Sequence, residues 1–354
     1  MIDGKEKLRK LVFKGLSLSR LPQLFKPFLG GRGAILMLHR VTSEPGTKFG
    51  FNDNLAVDPE FLDRLIADMK ADGFEFVSID EGIERMNYEA DSDRFAVITL
   101  DDGFKDNLLE ALPVFEKHQT PFVIYIAPGL TGGAVEPWWE LVEASVAACT
   151  GHKLEMTTPD GVVSFDCSSD DARVQAFTEI CTLLSEEIAE QDQVAAVRSL
   201  AESAGFDYER FRRDLLMDWD DIRTIAANPL CTIGAHTVHH YNLKRLSEDE
   251  ARWEMTQSAD LLEEILGERP RHLAYPYGFR SAAGKREAKL AKEAGFLSAL
   301  TTRHGVIHDQ HVSHMHALPR ISVNGRFQNL DYLKTMLSGV TTLMTNRCRK
   351  VVTV

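Results

Sequence analysis

Two short stretches hold residues whose types and spacing could carry out hydrolysis. In Ile98-Thr99-Leu100-Asp101-Asp102-Gly103-Phe104, an apolar run from Phe95 to Leu100 delivers two adjacent carboxylates to a glycine turn. Paired carboxylates at the end of a buried strand repel each other, and a bound cation is the usual offset. In Gly234-Ala235-His236-Thr237-Val238-His239-His240, a second apolar run ends in histidines. Imidazoles at 236 and 240, with one carboxylate, make a facial ligand set for a divalent cation. Zinc is the first expectation, with cobalt, nickel or manganese as alternatives, and open positions would remain for water and substrate. His239 is expected to face away. A third stretch, Tyr275-Pro276-Tyr277-Gly278, also follows a short apolar run.

These stretches need elements that bring them to one place. Ala34 to Leu38, Phe74 to Ile79, Phe95 to Leu100 and Phe122 to Ile126 read as strands. So do Cys231 to Ile233, Leu273 to Tyr275 and Phe296 to Thr301, and Leu318 to Ile321 returns toward the core. Helical patterns lie between them. One is capped by Asp58 with Pro59 at its first position, another by Ser247 with Glu250 three residues on. The alternation predicts an α/β fold with parallel strands, as a barrel or an open sheet. Either form sets reactive loops at the C-terminal ends of the strands, where all three stretches fall. Residues 129–216 interrupt the rhythm and read as a mostly helical insertion within a domain of residues 33–340. Trp138 and Trp139 open it, placed either to line a groove for sugar rings or to fill a core. The histidines at 304, 308, 311, 314 and 316 suggest a solvated lid loop, and residues 341–354 a frayed basic tail.

The chain has 354 residues and a net charge of −13, which argues against a nucleic-acid binder. Five cysteines, an odd number without a CxxC pair, suit neither a disulfide framework nor a thiolate cluster. No apolar run reaches the roughly 18 residues that cross a bilayer, and no secretory signal is evident. A cytoplasmic protein, or one peripheral to the inner face of the membrane, is expected. Residues 1–32 are basic, with eight Lys and Arg against Asp3 and Glu6, and leucines and phenylalanines recur at helical spacing. Such a segment suits an anionic membrane surface. It equally suits a terminal helix packed on the domain with its lysines in solvent. Pro22 and Pro27 should break any single long helix there.

The three motifs resemble those of the polysaccharide deacetylase family, the NodB-homology domain also called carbohydrate esterase family four. The likeness rests on Thr99-Leu100-Asp101-Asp102-Gly103, His236-Thr237-Val238-His239-His240 and Pro276-Tyr277-Gly278, and covers residues 34–128 and 217–323. It implies a deformed (β/α)7 barrel, a divalent metal, and removal of acetyl groups from an N-acetylated oligo- or polysaccharide or a lipid-linked glycan. It also implies that Asp102, His236 and His240 bind the metal, that Asp101 is the general base, and that the N–H of Tyr277 holds the oxyanion.

Two departures from the family pattern bear on the site. The family's third motif has an arginine two places before its proline, where this chain has Ala274; Arg320 is the candidate to supply that guanidinium from a neighbouring strand. The late histidine that serves many members as general acid has no clear match. A subgroup similar to periplasmic poly-N-acetylglucosamine deacetylases carries a Tyr-His pair at its first strand. Met37-Leu38-His39-Arg40 looks similar with leucine in place of tyrosine, so His39 is the expected acid, with His304 and His316 in reserve. Competing readings are an O-deacetylase, a cyclic-imide or ureide hydrolase, and a carbohydrate-binding protein without turnover.

Overall fold

Seven parallel strands close on themselves: β1 (Gly33–Leu38), β2 (Arg94–Asp101), β3 (Phe122–Ile126), β4 (Cys231–Ala235), β5 (His272–Ala274), β6 (Ser298–His304) and β7 (Leu318–Ser322). Each pairs with the next in chain order, and β1 pairs with both β2 and β7, which closes the ring. The short strand Phe74–Phe76 pairs with the first residues of β2, below those that β3 uses. That extra strand wedged at one seam makes this a deformed (β/α)7 barrel. The computed structural model describes residues 4–44, 46–87, 94–151 and 153–354, and Asp3 and the side chains of Lys5 and Glu6 lie outside what is described.

Strand alternation decides what faces inward. Ile35, Val97, Val123, Ala274, Leu300 and Leu318 pack in one cluster with Tyr125. Their neighbours Leu36, Leu38, Ile98, Leu100, Ile124 and Ile126 join the larger core shared with the surrounding helices. Two positions further along the inward face of β2 come Thr99 and then Asp101; two beyond Leu318 on β7 comes Arg320. The polar site is thus the continuation of the apolar barrel filling.

Most expected elements are present, with shifted ends. The expected strand Phe74 to Ile79 stops at Phe76, because the Ser78 hydroxyl accepts from the Glu81 N–H and starts the helix Ile79–Asn87. The histidine-rich loop is solvated on one face only: Gln310, Ser313 and His314 are exposed, while its other face is anchored to the barrel. After β6 the chain must return to the start of the parallel β7; Ile307 bridges to Gly33 at the beginning of β1, and His308 and His311 are buried. The C-terminal residues are held rather than frayed: the Val352 carbonyl faces His311 Nε2 at 3.0 Å, and Val352 is buried.

The insertion has its own core, in which Leu141 and Val146 of the helix Trp138–Ala148 meet the hairpin Lys153–Thr158/Gly161–Asp166 and the helix Gln193–Ser203. At the other end of the chain, α1 (Gly4–Leu18) and α2 (Leu21–Leu29) are separated at Arg20, whose φ of 56° breaks the helix ahead of Pro22. Pro27 lies inside α2 without ending it. Phe13 stacks on Tyr332 at 5.3 Å, fastening α1 to the helix Leu330–Leu337.

Candidate active site

Asp102, His236 and His240 are all buried and offer ligand atoms within 4.8 Å of one another. Asp102 Oδ1 lies 3.4 Å from His236 Nε2 and 3.3 Å from His240 Nε2, and forms no hydrogen bond among the described residues. Three donors each about 2.1 Å from one tetrahedral ion would stand about 3.4 Å apart, so the spacing fits a shared divalent cation. The charges point the same way. Burial opposes ionisation of Asp102, but the two imidazoles outweigh it and hold its carboxyl far below the usual range. Burial also opposes charge on His236, yet Asp102 and Asp101 raise it, while burial prevails at His240 and lowers it. A divalent cation seated between the carboxylate and the imidazoles would supply the positive charge this buried centre calls for. His236 Nδ1 sits 2.7 Å from the Ala274 carbonyl, which leaves Nε2 for the ion.

The strand alone would turn adjacent carboxylates to opposite faces. Asp102 escapes this with a φ of 76°, a left-handed turn that brings it to the same side as Asp101. Thr237, His240 and Tyr277 have φ values of 60°, 57° and 61°, unusual for residues other than glycine. This backbone strain is concentrated where the three motifs meet.

Asp101 is fixed by Arg320, whose two terminal nitrogens donate to its two oxygens at 2.8 and 2.7 Å. Arg320 is fully buried and also donates to Thr99 Oγ1 and to the Thr301 carbonyl. Burial would raise the Asp101 pKa; the guanidinium overrides it and keeps the carboxylate ionised. His39 Nε2 stands 4.0 Å from Asp101 Oδ2, partly exposed on the other side. The Tyr277 N–H has no acceptor among the described residues, while its carbonyl accepts from Thr302 Oγ1.

Other sequence candidates lie elsewhere. His239 turns away, its Nδ1 2.6 Å from Glu254. His304 pairs with Thr341, and burial pushes it down to about 4. His316 faces the Phe296 carbonyl. Neither reserve acid is at the site.

Both tryptophans border the site and also pack, partly buried, against apolar clusters. Trp138 Nε1 donates to the Tyr277 hydroxyl at 2.8 Å, and the Trp139 ring lies 4.9 Å from that of His240. Glu140, the next residue, had no motif to single it out. It is buried, its Oε1 has no hydrogen-bond partner among the described residues, and it lines a cavity of about 390 Å³ with Arg40 and Asn52. Burial pushes its carboxyl up to about 7, against the pull of Arg40.

A family model described as polysaccharide deacetylase matches residues 162–297, which takes in His236, His240 and Tyr277 but not the two aspartates. No curated protein sequence matches the chain. Among solved structures, the deacetylase PplD of Streptococcus pyogenes, in complex with acetate, is 18% identical with a TM-score of 0.57, over 86% of this chain and 97% of that one. IcaB from Ammonifex degensii is 16% identical, TM-score 0.53, over 86% and 97%. A de-N-acetylase from Aggregatibacter actinomycetemcomitans is 12% identical, TM-score 0.52, over 86% and 99%. At such identities the structural likeness is one of fold. The family-model match takes in the second and third motifs over part of the chain, and the metal-ligating triad stands at the end of a seven-stranded barrel similar in fold to these structures.

Proposed function

We propose that the protein hydrolyses the acetamide of an N-acetylated carbohydrate, releasing acetate and a free amine. The observation that carries this is the buried Asp102–His236–His240 triad standing beside a second carboxylate, Asp101, that is clamped in its ionised form. Asp102, His236 and His240 would hold the divalent ion, zinc by its ligand set. When bound, it would supply Lewis acidity toward the acetamide carbonyl and acidify water at neutral pH.

The chain's own groups do the rest. Asp101, locked by Arg320, accepts the proton of the attacking water as the new C–O bond forms. The Tyr277 N–H donates to the oxygen that gains charge at the carbonyl carbon. His39 donates a proton to the nitrogen as the C–N bond breaks. Trp139 and Tyr277 wall the site with aromatic surface that suits a sugar face. Acetate release from N-acetylated chitooligosaccharides, compared with acetylated xylan and small cyclic amides, tests the proposal. Turnover confined to either of the latter two would overturn it.

A further inference from the structure

Helices α1 and α2 present an apolar face that the other described residues do not cover. On α2, Leu21, Leu24, Phe25 and Phe28 are 43%, 65%, 42% and 74% exposed. Their spacing puts all four on one side of the helix. On α1, Leu8, Leu11 and Leu18 are exposed to a similar degree. These are not the residues that fasten the helices to the domain: α1 packs through Phe13 and α2 buries Pro22. Exposed Lys7 and Lys14 alternate with Leu11 and Leu18 along one stripe of α1, and no acidic residue occurs between positions 7 and 29. A chain of net charge −13 thus concentrates eight basic residues in its first 32.

We propose that α1 and α2 dock the protein on an anionic phospholipid bilayer, lying in the plane of the headgroups with their leucines and phenylalanines inserted. The charge decides the occupant. A second copy of the chain would bring two basic faces together, whereas an anionic surface complements them. The aliphatic stems of the lysines add to the inserted area while their ammonium groups stay among the headgroups. The helices have 15 and 9 residues, and none among the described residues is long and apolar enough to cross a membrane. Beside this face a groove of about 620 Å³ runs between α1 and the C-terminal helices, lined by Leu8, Val12, Phe13, Tyr332 and Met336, with room for an acyl chain. Its wall includes Thr302, the residue that holds the Tyr277 carbonyl, so the docking face and the third-motif loop share a partition.

The test is co-sedimentation of the full-length protein with vesicles of phosphatidylcholine, alone or mixed with phosphatidylglycerol. Binding is expected only to the mixed vesicles and should weaken with salt. Leu24→Glu combined with Phe28→Glu should lower the partition coefficient at least about tenfold, and Lys7→Glu with Lys14→Glu by a comparable factor. Circular dichroism melting of both variants should match that of the parent, since all four side chains are exposed. Equal partition into neutral vesicles, no loss in either well-folded variant, or a vesicle-free dimer that both variants dissolve would overturn the proposal.

Discussion

Arg320 grips both oxygens of Asp101 from 219 residues away in the chain, at 2.8 and 2.7 Å. Their strands, β7 and β2, flank β1 on either side, so the clamp spans one strand of the barrel. Arg320→Lys keeps the charge but loses the two-pronged geometry, and turnover should fall about 10- to 100-fold with the bound metal unchanged. Arg320→Met leaves a buried carboxylate unpaired and should cost about 3–5 kcal/mol of stability in thermal or urea unfolding.

Asp101→Asn should abolish acetate release while the metal content measured by mass spectrometry stays close to one ion per chain. Asp102→Asn should lose the ion and the activity together. Metal loss in the first variant and not the second would reverse the roles of the two residues.

Chelation should remove activity, and adding back zinc should restore it. Because an ion held by the folded triad does not bind the unfolded chain in the same way, saturation at 100 times the dissociation constant should stabilise the fold by about 2.7 kcal/mol. Differential scanning calorimetry with and without chelator checks this. An unchanged melting temperature would count against a resident ion.

His39→Ala should reduce turnover by about 10²–10⁴-fold. If turnover is unchanged, the proton comes from elsewhere, and Glu140→Gln is the next variant, since that carboxyl is pushed up to about 7.

Stability should fall with acid through the buried histidines. Burial depresses His304 to about 4, and His308 likewise, from an ordinary value of 6.5. Between those limits the unfolded chain binds protons that the folded chain refuses, so stability is fully present above about 6.5 and is lost as pH falls toward 4. For His304 alone the loss at pH 5 is about 2 kcal/mol. Urea unfolding between pH 7 and pH 5 should show this slope, and His304→Gln should flatten it.

The sequence revealed the site where chemistry requires a residue type at a fixed spacing. Asp101, Asp102, His236 and His240 follow strands whose apolar runs are plain to read, and the structure brings them together. Arg320 could be suggested only because Ala274 left a guanidinium wanting; its burial against Asp101 depends on which strands become neighbours, and barrel closure decides that. Trp139 and Glu140 sit on the insertion, whose docking no local pattern encodes. The histidine-rich loop misled because polar composition suggested solvent, whereas parallel connectivity forces that segment back along the barrel, where His311 finds the Val352 carbonyl.

Since β7 is the last strand of the ring and carries Arg320, catalytic competence should arrive late in synthesis. A nascent chain would have made both aspartates and both histidines long before residue 320 leaves the ribosome, with the future base still unclamped. A chain cut before residue 318 would lack both the strand that closes the ring and the guanidinium that clamps Asp101.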